Sequence, residues 1–112
     1  MLTTHTTLMK IREITMGMGG YQGAEFGLFI QFEGSGCGVG TSLSMWARDP
    51  DEHCRWTQKD QERTWADAMR LVRDTLIKSR RRDLASLVGI PVEVTFGSDD
   101  CIKSWRVLEE VL

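Results

Sequence analysis

Apolar and polar residues alternate along two runs near the middle of the chain. From Ala24 to Phe32 every second residue is apolar, and the run from Cys37 to Met45 repeats this period of two, which is typical of half-buried β-strands. The glycine-containing pair Gly34-Ser35 predicts a two-residue hairpin turn between them. With Glu33 opposite Gly36, Phe32 faces Cys37 and Gly23 faces Trp46. One face of this hairpin is apolar, and the other is small, polar and rich in glycine.

The pattern on either side of the hairpin predicts further strands. The segment Leu8–Met16 reads as a strand whose apolar parity switches between Ile11 and Ile14, so we expect a β-bulge at Arg12-Glu13, with a short helix as the alternative. We expect residues 1–7 to fray. Val92 to Phe96 and Ile102 to Leu108 predict a second hairpin. Its register stays open, because either Trp105 and Val107 or Ile102 and Leu108 can supply the buried side.

One segment has helical periodicity. Thr57 and Asp60 form a capping signature, and a stripe of apolar residues follows at spacings of three and four. Leu71 and Ile77 lie off that stripe, which indicates a second contact surface. The predicted fold is therefore α+β: an antiparallel sheet of two hairpins and an N-terminal strand, packed on one long amphipathic helix in the order β-β-β-α-β-β. The stripe consists of Trp65, Ala68, Met69, Val72 and Leu76.

Composition narrows the class of protein. The 112 residues suit one domain, 1–112, and 41% hydrophobic with 27% charged residues is typical of a folded protein. The net charge of −2 says little by itself, but most positive residues have acidic neighbours, which makes nucleic acid an unexpected partner. Lys78 to Arg82 is the one basic cluster. It suits phosphate or nucleic acid, but the interpretation that we favour is a set of cations at a helix C-terminus. No apolar run reaches the length of a membrane span, so we expect no membrane and a cytoplasmic location.

Catalytic and metal motifs are weak. Cys37, Cys54 and Cys101 are an odd number without a CxxC spacing, which favours reduced thiols. His53 beside Cys54 raises the alternative of a zinc site, but the paired ligand spacing is missing. No nucleophile, base and acid combine into a catalytic set, so we predict a protein that is not an enzyme and that has no cofactor and no metal.

The glycine-rich loop before the hairpin is the candidate site. It does not match a dinucleotide fingerprint, because the spacing differs and a strand follows it, although its backbone N–H groups suit an anion nest. Aromatic rings, an amide and a cation near this loop suit a stacked base and a phosphate. The predicted ligand-binding residues are Gly19, Gly20, Tyr21, Gln22, Gly23, Trp46 and Arg48.

Four stretches of the chain resemble a group of small accessory proteins encoded by bacteriophages and prophages. They are GGYQGAEFGLFIQF, the later GVG with a following tryptophan, CRWTQKD, and PVEVTF with KSWRVLEEVL. The resemblance implies a role against host defence in the host bacterial cytosol. We expect a homo-oligomer that sequesters a nucleotide-like small molecule. The alternatives are an inhibitor that binds a host defence protein and, third, a small phosphodiesterase or nuclease.

Overall fold

The computed structural model describes residues 4–112, which form one sheet and one long helix. The strands are β1 (His5–Gly19), β2 (Glu25–Gly34), β3 (Cys37–Trp46), β4 (Pro91–Phe96) and β5 (Ile102–Val107), and the helix is α1 (Gln58–Ser79). All neighbouring strands are antiparallel, in the order β3-β2-β1-β4-β5. The predicted α+β fold and its element order are confirmed. Short 3₁₀ turns lie at Tyr21–Gly23, Ala85–Leu87 and Glu109–Val111.

β1 is the central strand and contains the predicted bulge. Its register with β2 shifts between Ile11 and Glu13, so Arg12 is the extra residue. Residues 5–7, which lie in the segment expected to fray, pair with β4. The first three residues of that prediction lie outside the described part of the chain. The bulge keeps Ile11 and Ile14 on the same buried face.

The hairpin of β2 and β3 has the predicted strands but a different turn. The turn residues are Ser35 and Gly36, both with positive φ, and the pairing is shifted by two residues from the prediction. A primed type I turn needs positive φ at both central positions, and glycine at the second satisfies that demand best. Because the shift is two residues, each side chain keeps its predicted face. The partner of Trp46 is Glu25 instead of Gly23.

Helix α1 begins with the predicted cap. The Asp60 N–H donates to the Thr57 hydroxyl at 3.1 Å, and the Asp60 carboxylate accepts from the Thr57 N–H at 2.9 Å. Placing Met69 on the buried stripe is wrong, since its side chain is exposed, and Leu71 packs against the core instead. Polar Gln61 also lies on the buried face of the helix, and a pattern of apolar residues does not reveal such a position. The helix contacts β3, β2 and β5.

A second bulge resolves the open register of the C-terminal hairpin. Thr95 pairs with Ser104 and Phe96 with Ile102, so one extra residue lies between them in β5. Ile102 and Trp105 consequently pack against the same core. The Trp105 ring lies 5.2 Å from that of Phe32 on β2. The sheet is therefore curved enough for its outer strands to approach one another.

The core lies between the concave face of this sheet and α1. Its centre consists of residues that are almost completely buried and that come from four strands, the helix and the turn after it. Burying a Leu, Ile or Phe side chain stabilises the fold by about 1.5–3 kcal/mol. The convex face of β2 and β3, which contains their glycines, does not face the core. The most buried core side chains are Ile11, Leu28, Ile30, Phe32, Leu87, Ile90, Val92 and Val94.

Candidate functional site

The loop between β1 and β2 is a tight turn closed by its own backbone. The Gly23 N–H donates to the Gly20 carbonyl at 3.1 Å, and the Ala24 N–H donates to the Tyr21 carbonyl at 3.0 Å. Gly20, Gln22 and Gly23 all have positive φ. Glycine relieves that strain at two of the three positions. The turn thus has one defined shape, which presents Tyr21 at its tip.

Tyr21 and Trp46 meet at the corner where this loop joins the end of β3. Their ring centroids lie 6.2 Å apart, with the rings perpendicular. The Tyr21 side chain is 66% exposed, whereas Trp46 is half-buried. An edge-to-face pair of this kind fixes the orientation of both rings. The structure therefore brings together the two aromatic residues that the sequence predicted for this site.

Glu25 organises the corner, although the sequence reasoning did not select it. Its carboxylate accepts from the Tyr21 N–H at 2.9 Å and from the Ser44 hydroxyl at 2.7 Å. These bonds, the first being the larger cause, hold the pKa of the Glu25 carboxyl below its usual value. A Cβ on Gly20 would lie 2.6 Å from the carboxylate oxygen, and the φ of Gly20 is +69°, a conformation that favours glycine. The missed signal was an acidic residue directly after the glycine loop.

The N–H groups of Tyr21, Gly23 and Ala24 are not available to bind an anion, so they do not form the predicted nest. Two of them bond to carbonyls within the loop, and that of Tyr21 bonds to Glu25. A carboxylate beside the loop also repels an anion. We therefore correct this part of the prediction. The corner offers aromatic faces and a hydrogen-bond acceptor in place of a phosphate cradle.

Arg48 lies in the loop that follows β3 and contacts that same loop. One guanidinium nitrogen lies 3.6 Å from the Asp51 carboxylate, and the other donates to Cys54 Sγ at 3.2 Å. A hydrogen bond from the His53 N–H, followed by smaller effects of Cys54 and Arg48, lowers the pKa of Asp51. Both partners of the ion pair are exposed, and such pairs contribute about 0–1 kcal/mol. The Asp51 carboxylate therefore holds the Arg48 guanidinium only weakly.

Gln61 fixes this loop to the helix. Its side chain is buried, and its amide nitrogen donates to the carbonyls of Trp46 and Arg48, each at 2.8 Å. Two site residues are therefore held by one side chain from the first turns of α1. No sequence motif marks such a residue, because its role depends on how the helix is rotated against the sheet. Gln61 is a positioning residue for the corner.

A cleft between the two outer strands is a second feature that the sequence did not predict. β3 and β5 face each other across a volume of ≈ 320 Å³, whose floor includes Leu28 and Leu71. Thr41, Lys103 and Trp105 lie at its sides. The cleft depends on the curvature of the sheet and on the bulge in β5. The alternation of apolar and polar residues predicts neither of these.

Residues 4–112 offer neither a ready-made metal site nor a membrane-spanning helix. In this range no group of three or more His, Cys, Asp or Glu residues is arranged to hold a metal ion. Cys37 and Cys101 are exposed free thiols, and Cys54 is a half-buried one. No helix in the same range has the length and apolar character that crossing a membrane requires.

Comparison of the chain with protein-family models, with curated proteins and with solved structures gave no match in any of the three.

Proposed function

We propose that the chain is a non-catalytic binding protein that captures a nucleotide-like small molecule at the corner of Tyr21 and Trp46. The observation that carries this proposal is the exposed Tyr21 ring held perpendicular to Trp46. Stacking of a base on an aromatic side chain contributes about 1–3 kcal/mol. An exposed ring fixed by a neighbour loses little freedom when a base stacks on it.

The polar groups of the corner suggest how the ligand is oriented. Glu25 presents a carboxylate, which accepts hydrogen bonds from the exocyclic amino group of a base. Arg48 lies two residues beyond Trp46, where an exposed guanidinium suits a phosphate. In the proposed arrangement the base lies near Tyr21 and Glu25, and the phosphate points toward Arg48. Gln22 supplies an exposed amide at the tip of the loop.

The biological role that we propose rests on the resemblance to phage accessory proteins. Sequestration of a nucleotide signal by an abundant phage protein counteracts a host defence without any catalysis. The protein is then expected to act in the bacterial cytosol as a homo-oligomer. Mass action requires only that its concentration exceed that of the signal and the Kd.

Thermal unfolding with a panel of cyclic and linear nucleotides tests this proposal. A ligand at 100 times its Kd stabilises the folded state by about 2.7 kcal/mol, which corresponds to about 10 °C in a domain of this size. Tyr21→Ala is expected to abolish the shift, while Tyr21→Phe retains the ring and most of the shift. Met69→Ala, an exposed residue on the helix, is the control and leaves the shift unchanged. Absence of a shift with every nucleotide contradicts the proposal.

A specific surface favours the second candidate function, inhibition of a host defence protein. The end of α1 and the end of the chain enclose a hollow of ≈ 670 Å³. Ile77 there is 69% exposed and lies among Lys78, Arg80 and Arg81, a combination that suits an acidic amphipathic segment of another protein. Ile77→Asp is expected to remove a stoichiometric partner in a pull-down, and Tyr21→Ala is expected to retain it. If Tyr21→Ala removes the partner and Ile77→Asp retains it, the partner binds at the corner of Tyr21 and Trp46 instead.

A further inference from the structure

β1 has an open hydrogen-bonding edge along its second half. β4 pairs with β1 only as far as Lys10, and just beyond it the backbone of Ile11 bonds to the segment that precedes β4. β2 continues along the opposite edge to Gly19. Among the strands of residues 4–112, none pairs with the remaining edge of β1 after Arg12. The central strand of the sheet thus becomes an edge strand after its bulge.

The hairpin turn determines which backbone groups face this edge. Gly34 and Cys37 flank a two-residue turn. The residues of such a flanking pair direct their N–H and C=O groups at each other, so Gly34 directs its backbone groups toward β3. By alternation, the odd-numbered residues of β2 direct their backbone groups toward β1, where their partners beyond the bulge are also odd-numbered. The even-numbered residues of β1 therefore direct their N–H and C=O groups toward the open edge. These residues are Ile14, Met16 and Met18.

The segment lacks the features that usually protect an edge strand. It has no charged residue and no proline from Ile14 to Gly19, whereas natural edges are commonly blunted by both. Met18 is 60% exposed. A Cβ on Gly17 would meet no atom within 4 Å, and its φ is not positive. Within residues 4–112 no contact requires glycine at this position, and glycine inside a strand often marks the close approach of another backbone.

We propose that a second copy of this chain pairs with the open edge of β1, antiparallel about a two-fold axis at Met16. In this register Ile14 lies opposite Met18 of the second copy, and Thr15 lies opposite Gly17. The apolar side chains then share one face and the small ones share the other, as a self-complementary interface requires. Three hydrogen-bonded residue pairs supply about six backbone bonds. The two sheets become one continuous sheet across the interface.

The shape of the chain agrees with this pairing. Its Cα radius of gyration is 15.3 Å, against about 13 Å for a compact domain of this length. The molecule measures 47 × 41 × 21 Å, so it is broad and thin and exposes more surface than a rounded monomer. Other exposed edges are less suited: β5 carries Lys103 and Arg106, and β3 faces β5 and α1.

The same register has a consequence for the corner, and this step rests on the proposed function. Continuing the pairing past Gly19 places Arg12 of the second copy beside Gly20, next to Tyr21. Its guanidinium supplies a cation that the corner lacks close to Glu25. The ligand site is then shared between two copies, and Arg12→Gln lowers nucleotide affinity by roughly tenfold while leaving the pairing intact.

Sedimentation equilibrium over a range of protein concentrations tests the pairing without any ligand. The wild-type mass is expected to approach twice 12.7 kDa. Met18→Lys places a charge in the apolar interface and is expected to weaken association at least tenfold. Met69→Lys introduces the same charge at an equally exposed methionine on α1 and leaves association unchanged. A wild-type protein that stays monomeric, or two variants that behave alike, overturns the proposal.

Amide hydrogen exchange locates the interface residue by residue. The N–H groups of Ile14, Met16 and Met18 are expected to gain protection as concentration rises, and to lose it in Met18→Lys. The N–H groups of Thr15 and Gly17 stay protected throughout, because they bond to β2. Concentration-dependent protection along β3 instead would place the interface elsewhere and overturn the proposal. Since neither measurement involves a nucleotide, a failed pairing and a failed ligand proposal are distinguishable.

Discussion

Two glycines that face each other across β1 and β2 are expected to respond in opposite ways to the same substitution. Gly17 and Gly27 are direct partners in the sheet. A Cβ on Gly27 would overlap the Leu43 carbonyl oxygen and lie 2.5 Å from Ser44 Cα on β3. Both are backbone atoms, so no side-chain movement relieves the clash. A Cβ on Gly17 would enter open space.

The expected magnitudes follow from these contacts. Gly27→Ala forces β2 and β3 apart and should destabilise the protein by about 1–3 kcal/mol, as overpacking does. For a domain of this length, that lowers the Tm by about 4–12 °C. Gly17→Ala should leave stability unchanged or raise it by up to about 1 kcal/mol, because alanine has fewer unfolded conformations than glycine.

Thermal and urea unfolding followed by circular dichroism measures both variants. The comparison is made in the Met18→Lys background, where the proposed pairing of two copies is removed and the difference reports on the single chain. Equal stabilities of Gly27→Ala and its parent would refute the packing of β2 against β3 described above. A comparable loss in Gly17→Ala would show that the open space beside Gly17 is occupied by this chain itself.

Two other substitutions test the supports of the corner. Gln61→Leu leaves the partly buried carbonyls of Trp46 and Arg48 without their donor, which should destabilise the fold by up to about 1–3 kcal/mol. Gln58→Leu, on the exposed side of the helix, should change stability by less than about 0.5 kcal/mol. Urea unfolding measures both variants, and equal effects would refute the anchoring role. Because the folded pKa of Glu25 lies below its ordinary value of 4.5, its carboxylate contributes stability that is present above that pH and is lost as the pH falls through the folded pKa. Glu25→Gln should therefore flatten the decline of Tm with falling pH, and an unchanged decline would refute the contribution.

Local periodicity and capping predicted the elements well, for identifiable reasons. The bulge at Arg12 was visible because a parity switch between Ile11 and Ile14 has few other causes in a strand. The cap at Thr57 was visible because its two partners are three residues apart. The turn was misplaced because Gly34 and Gly36 both adjoin Ser35, and only the backbone conformation of the turn decides between them. Each correct prediction depended on neighbours in sequence.

Only part of the corner could be predicted, because only some of its contacts join residues that are close in sequence or linked by the hairpin. Tyr21 and Trp46 were brought together by the hairpin, and a shift of two residues did not separate them. The hydrogen bond of Glu25 to the Tyr21 N–H is local, but its bond to Ser44 depends on the register between β2 and β3. Gln61 was missed because the helix is rotated to bury a polar side chain. These roles depend on how distant elements pack, which alternation along one strand does not encode.

The extra residue at Arg12 connects the core, the open edge and the corner. A shift of one residue moves every following side chain to the other face of a sheet, so without the bulge Glu13 and Thr15 would point into the core in place of Ile14 and Met16. With the bulge, the apolar face continues past the point where β4 ends, and its backbone groups are left unpaired along an edge without charges. The strand then delivers the chain to the loop that carries Tyr21. A single inserted residue therefore lets one strand serve as the centre of the sheet, as the proposed interface and as the support of the proposed binding site.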